Sequence, residues 1–408
     1  MSNTLNPVVS SERHLILDFL RGFALLGICL ANFPEFALYT FQKKEVVEAM
    51  PTAGIDNIVR FFQYLLIDGK FYSIFSLLFG VGFSIIISHA MEKHKNGFTI
   101  FYRRMFFLII IGMIHLMFLW SGDILVLYAL IGLLLPMFRH VSNKKLLIWA
   151  AILILLPVAL DTFRVITNNN PDFNAPFNKA IKYFDAQGGI TDDNFGVWLV
   201  EGQSYSDVLA FTISGAFRRC IEFVEGNRMF KVLGLFLLGL YIGRNKYYAR
   251  LEEKKETLKK IRKYGLLIAF PLSILFAWNA VNDHPLGLIG SSALYALSVV
   301  PFSLTYIAII CLWYMKNKER TIFKTLSAPG RMALSNYVGQ SVVGIILFYG
   351  IGFELGAKVG LVYVELIALG VYLFQIVFSL IWLRYFRFGP LEWIWRMLTY
   401  DAVLKIRK

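Results

Sequence analysis

A run of about 20 apolar residues is long enough to cross a bilayer as a helix, and few features restrict a fold more than a series of such runs. This chain has ten that reach or approach that length. They cover residues 15–33, 71–89, 105–120, 124–138, 146–160, 229–242, 264–280, 293–314, 332–349 and 359–383. The runs at 124–138 and 229–242 are short for a full span. The pattern predicts an all-α, polytopic transmembrane bundle of about ten spans, forming a single domain over residues 1–408. The composition agrees. The chain is 57% hydrophobic and 17% charged, with mean hydropathy +0.60, whereas a soluble domain is about a quarter charged.

The basic residues orient the bundle. With the N-terminus inside, residues 92–104, 139–145, 243–263, 316–331 and 384–408 face the cytoplasm. That side then carries 28 of the 41 Lys and Arg residues, the outer side carries 11, and Arg21 and Lys231 fall within spans. Such a bias places both termini in the cytoplasm and predicts a multi-pass protein of a bacterial plasma membrane. The net charge of +14 sits in short clusters between apolar runs, with no basic groove motif. Nucleic acid is therefore excluded as a partner, and anionic lipid headgroups are expected instead. A homo-oligomer is compatible with the sequence.

Two segments interrupt the spans. Residues 161–228 form a long outer loop or cap, and within it 208–224 is apolar but holds Arg218 and Arg219 side by side. Burying both guanidiniums in lipid costs roughly 2.5–3.5 kcal/mol each. The expectation is an interfacial amphipathic helix. Residues 243–263 read as a charged cytoplasmic connector helix with Glu and Lys at helical spacing. The polar segment 1–11 lacks the basic start of a cleavable signal peptide. Cys29, Cys220 and Cys311 are widely spaced and include no CxxC pair, so neither a disulfide framework nor a metal site is expected.

In an apolar bundle the informative residues are the polar ones. Asp18 and Arg21 are three apart in the first run and share a helix face. Asn32 lies eleven residues beyond Arg21, about three turns along the same face. The bland reading is a local ion pair. The functional one is a polar stripe along a cavity, with Asp18 in its lining and Arg21 meeting a phosphate. His115 lies about 15 Å along a helix that starts near Met105, and Asp123 follows at the same end of the bundle. These two suit a general base and its orienter, or a satisfied interhelical contact. Asn336 and Gln340, four apart, share a face and would line a channel or clasp a neighbouring helix. No GxxxxGK[ST], HExxH or GxSxG pattern occurs.

The blocks LDFLRGFALLGICLANF, DGKFYSIFSLLFGVGFSI, IGMIHLMFLWSGDILVLYALIGLLLP, GRMALSNYVGQS and FGPLEWIWRMLTY, in that order from about Arg13 to Tyr400, resemble the YeiB-like family of bacterial membrane proteins. Through LDFLRG followed by Asn32, that family is distantly similar to the transmembrane acyltransferase superfamily, which includes heparan-alpha-glucosaminide N-acetyltransferase. The resemblance implies transfer of an acyl group from cytoplasmic acyl-CoA, a co-substrate rather than a tightly bound cofactor. The recipient would be a small-molecule or glycan acceptor outside. It puts Asn32 at the acyl-transfer site. The acetyltransferase has a catalytic His shortly after that Asn. Here none occurs between Asn32 and Phe71, and His115 is the candidate base by depth and spacing. A small-solute transporter or exporter, with His115 and Asp123 as a proton relay, is the alternative. A receptor or assembly subunit using the outer segment 161–228 is a third class.

Overall fold

The computed structural model describes residues 14–92, 96–170 and 172–408. The expectation for segment 1–11 lies outside them. The described residues form an all-α polytopic bundle, with one isolated bridge between Phe386 and Arg407 as the only extended pairing among them. The principal helices are α1 (Leu15–Phe36), α2 (Ala53–Phe62), α3 (Lys70–Glu92), α4 (Gly97–Phe118) and α5 (Leu125–Gly132). They continue with α6 (Asn143–Ile166), α7 (Ala175–Gly188), α8 (Tyr205–Glu225), α9 (Arg228–Arg244), α10 (Glu252–Val281) and α11 (Gly287–Lys316). The last four are α12 (Thr321–Arg331), α13 (Ala333–Phe348), α14 (Leu361–Tyr385) and α15 (Pro390–Tyr400).

Seven described stretches are long and apolar enough to cross a membrane: Leu15–Phe36, Ala53–Glu92, Gly97–Phe118, Asn143–Ile166, Glu252–Val281, Gly287–Lys316 and Leu361–Tyr385. The other three expected runs are helical but shorter. Run 124–138 is α5 followed by a 3-10 turn at Leu135–Phe138 that begins around Pro136. Run 229–242 is the 17-residue α9, and run 332–349 is the 16-residue α13. Pro136 falls in the turn that follows α5, and Lys246, in the left-handed region, follows the end of α9.

Small residues set how closely the helices approach. A methyl group at Gly80 would sit 2.1 Å from the Phe236 carbonyl oxygen, and one at Gly239 would sit 2.0 Å from that of Leu77. The α3 and α9 backbones therefore touch, and Phe79 stacks on Phe236 beside the crossing at 4.4 Å. In α1, Pro34 has no N–H to give to the Leu30 carbonyl. The Gln63 side chain donates to that carbonyl instead, at 3.4 Å.

Segment 161–228 folds into α7 and α8, joined by a stacked Phe184–Phe217 pair at 5.4 Å. A Ser204–Asp207 capping box starts α8, and Thr212 donates to the Met117 carbonyl at the end of α4. The helix expected at 208–224 is present, but its arginines part company. Arg218 pairs with Asp185, while Arg219 turns inward and is only 5% exposed. Adjacent helical residues point about 100° apart, so one can face the rim and the other the interior. In segment 243–263 the charged helix forms the first part of α10, with a Lys259–Glu256 pair at 2.7 Å.

Candidate functional site

A cavity of about 520 Å³ runs through the bundle. Its spine is one face of α1, where Arg21, Leu25, Ile28, Asn32 and Glu35 follow at alternating spacings of four and three. That periodicity keeps all five within a narrow stripe, and the 14 residues from Arg21 to Glu35 cover roughly 21 Å of helix. Opposite, α3 supplies Tyr72, Phe75, Phe79 and Phe83. The cavity therefore has two polar ends and an apolar waist.

At the Arg21 end, Arg104 of α4, Arg331 of α12 and Arg396 of α15 join Arg21 in the wall. The Arg21 guanidinium meets Asp18 at 2.7 Å. That of Arg104 lies 3.6 Å over the Trp395 ring, whose N–H donates to the Arg104 carbonyl at 3.0 Å. Glu392 is the carboxylate in this wall, and its oxygens are committed elsewhere. It accepts the backbone N–H groups of Leu334 and Ser335, at 2.7 and 3.1 Å, and the Ser335 hydroxyl, which caps the start of α13. Burial pushes its carboxyl above the usual range, and those three donors only partly offset this.

The Glu35 end holds Asn32, Glu35, Asp68, Arg219, Arg228 and Lys231, with Tyr72 and Tyr295. Asp68 stands at the break between α2 and α3, where Gly69 takes φ +74°. Arg219 lies 3.9 Å from Glu35, pairs with Glu222, and donates to the Ser121 carbonyl at 3.1 Å. Arg228 is 3.4 Å from the same Glu222. The Lys231 ammonium sits 4.1 Å from the Tyr295 ring centre. The Tyr295 hydroxyl in turn donates to that of Tyr72 at 2.6 Å.

The structure does bring His115 and Asp123 together, at 2.9 Å from Nδ1 to Oδ2. It places them behind the cavity wall, not in it. Both are 1% exposed, and His115 Nε2 lies 2.8 Å from the Ser341 hydroxyl. A carboxylate only accepts, so Asp123 holds a proton on Nδ1, and Nε2 shares a hydrogen bond with Ser341. The second Asp123 oxygen accepts the Val126 N–H at 2.8 Å, at the start of α5. Between this cluster and the cavity stands Tyr337, whose ring lies 5.1 Å from His115 and which lines the wall.

Asp18, Asn336 and Gln340, expected along a channel, are placed away from the cavity wall. All three are at most 4% exposed and none lines the cavity. Asn336 donates to Ser379 at 3.0 Å. Gln340 donates to Gln375 at 3.0 Å, and Gln375 donates back to the Asn336 carbonyl at 2.8 Å. These amides clasp α13 to α14. In hydrocarbon a primary amide without a partner is costly, and a facing amide is the cheapest partner. Of the expected site residues, Arg21 and Asn32 line the cavity. Those the sequence reading missed are Glu35, Arg104, Arg219, Arg228, Lys231, Arg331 and Arg396.

The chain is 32% identical to "Uncharacterized protein YxaH" of Bacillus subtilis (strain 168), over an alignment covering all of this chain and 99% of YxaH. It is 28% identical to "Uncharacterized protein YeiB" of Escherichia coli (strain K12), covering 96% and 97% of the two chains. It belongs to the YeiB-like family. A Bacillus acidopullulyticus relative, "Uncharacterized 39.9 kDa protein in amylase 3'region", is 28% identical over 98% of both chains. The family described as "Protein of unknown function (DUF418)" matches residues 242–402. In this YeiB-like chain that stretch supplies Tyr295, Arg331, Tyr337, Glu392 and Arg396 to the cavity wall. No solved structure matches the chain.

Proposed function

We propose that this protein is a transmembrane acyltransferase of a bacterial plasma membrane. It takes an acyl group from acyl-CoA at the Arg21 end, which faces the cytoplasm, and delivers it to an acceptor entering at the Glu35 end. The carrying observation is the cavity itself, which links a four-arginine end to a mixed-charge end past an apolar waist. Guanidiniums bind phosphates by paired, charge-assisted hydrogen bonds. Arg21, Arg104, Arg331 and Arg396 would take the CoA phosphates, while Glu392 is occupied by its own cap. Phe75 and Phe79 would pack along the arm of the donor. Asn32, on the cavity wall beyond the waist, would donate to the oxygen that gains charge as the thioester carbonyl is attacked. A transported hydrated solute is a poorer fit to a waist of phenylalanines, and the His115–Asp123 pair lies off the path.

The test is purified protein in nanodiscs, titrated with acetyl-CoA and assayed for release of free CoA. Saturable binding and slow CoA release support the reading. No binding above that of an empty nanodisc overturns it, and solute counterflow in proteoliposomes without CoA release would establish transport instead. Orientation has its own check. Reporter fusions after Lys263 and after Arg331 should report the cytoplasm, and fusions within residues 172–207 the outside. One reversed fusion breaks the assignment of the two ends.

A further inference from the structure

We propose that Glu35 is the general base of this site, and that the Glu35 end receives a hydroxyl compound carrying an anionic group. The inference rests on the acyltransferase reading and names the acceptor class that reading leaves open.

The position of Glu35 carries the first half. It shares the cavity stripe of α1 with Asn32, three residues earlier, so the two side chains sit about 5–6 Å apart at their Cβ atoms. An oxyanion donor and a base one helical turn apart can straddle a carbonyl carbon and its nucleophile. The Glu35 side chain is 35% exposed, and no hydrogen-bond donor among the described residues reaches its carboxylate. Arg219 stands 3.9 Å away, with its own hydrogen bonds committed to Glu222 and the Ser121 carbonyl. It supplies positive charge without occupying the lone pairs of Glu35. The contrast with Glu392 and Asp123 is direct, because both of those spend their oxygens on the protein.

Charge at this end carries the second half. Glu222 serves both Arg219 and Arg228, and Lys231 has an aromatic face beside it with no carboxylate of the described residues within 4 Å. Arg219 and Arg228 share Glu222, which leaves Lys231 as the cation at this end without an ionic partner among the described residues. A hydroxyl compound with a phosphate or carboxylate would give Lys231 an oxygen acceptor and Arg228 a second one beside Glu222.

The step balances. The acceptor O–H proton passes to a Glu35 carboxylate oxygen as the acceptor oxygen attacks the thioester carbonyl carbon. Collapse of the tetrahedral adduct breaks the C–S bond and leaves an ester. The CoA sulfur takes up the proton from Glu35, which returns to carboxylate.

The experiment uses the full chain in nanodiscs with acetyl-CoA and three probe acceptors: glycerol 3-phosphate, glycerol and ethanolamine. CoA release and acetylated product are both followed. Glycerol 3-phosphate should be used best. Glu35→Gln should lower kcat by about 10²–10⁴-fold with acetyl-CoA affinity unchanged. Formate should restore part of the activity of Glu35→Ala, which a merely structural role would not allow. Lys231→Met should raise KM for glycerol 3-phosphate and leave that for glycerol in place. Wild-type kcat in Glu35→Gln overturns the base. Equal use of glycerol and its phosphate, or preference for ethanolamine, overturns the acceptor class. A wild-type protein that never turns over acetyl-CoA overturns this inference together with the acyltransferase reading, whereas turnover that survives Glu35→Gln overturns this inference alone.

Discussion

His115 and Arg21 are both polar residues in apolar helices, and the bundle treats them in opposite ways. His115 is enclosed, with Asp123 on one ring nitrogen and Ser341 on the other, and every strong hydrogen-bonding position of the ring is used. Arg21 has one ionic partner and keeps a quarter of its side chain exposed on the cavity wall. Buried polar groups are normally satisfied by the protein, and a satisfied network rigidifies whatever it joins. The His115 cluster joins α4, the start of α5 and α13, and it backs Tyr337. The cavity wall holds the groups whose capacity is left over. On this comparison, the residue with hydrogen-bonding capacity left over is the one on the cavity wall.

The sharpest way to break that contrast is His115→Ala. It leaves the Asp123 carboxylate buried without its partner and should cost about 3 kcal/mol or more of stability. Thermal unfolding in detergent reads this, and acetyl-CoA affinity in the surviving folded fraction should match wild type. A variant that melts like wild type yet loses turnover would move the chemistry to His115 and sink the distinction.

Next in size is the Arg21 end. A charge-assisted hydrogen bond is worth about 1.5–3 kcal/mol, so Arg104→Gln should weaken acetyl-CoA binding about tenfold to a hundredfold. Arg21→Lys keeps the charge but loses the planar fork, and a smaller loss is expected from it. Calorimetry on both variants checks the order. If Arg21→Lys binds as wild type, Arg21 serves Asp18 alone.

The smallest effect sharpens the closed side. Gln340→Leu removes one amide of the clasp between α13 and α14, where an interhelical hydrogen bond contributes about 0.6–2 kcal/mol. A small drop in melting temperature with unaltered acetyl-CoA binding is expected. A large loss of binding would mean that Gln340 reaches the cavity after all.

The helical bundle was legible because apolar runs of span length leave a chain little choice, and all ten expected runs are helices. Run 124–138 could not show its own break, since apolarity continues through Pro136 while the α-helix does not. In the site, Arg21 and Asn32 were legible because their spacing lies within one helix and follows its period. Glu35 escaped because Pro34 precedes it, and proline reads as the end of a span. The structure instead carries α1 through Pro34 to Phe36. Arg219 was visible as a charge and misread in direction, because its neighbour Arg218 does face the rim. Arg104, Arg331 and Arg396 come from three helices far apart in the chain, and no periodicity links them. Tertiary packing alone assembles that end.

The repair at Pro34 has a consequence for breadth of use. Gln63, which takes the carbonyl that Pro34 leaves vacant, opens the π turn running to Ile67, just before Asp68. The two carboxylates of the Glu35 end, Glu35 and Asp68, thus sit close to segments that the Gln63 hydrogen bond joins. Where that tie is a single long hydrogen bond, the width of the chamber is an adjustable dimension. A shorter or apolar residue at position 63 would let the two walls settle at another spacing, so relatives differing there would be expected to accept molecules of different girth with the same acid, amide and arginines in place.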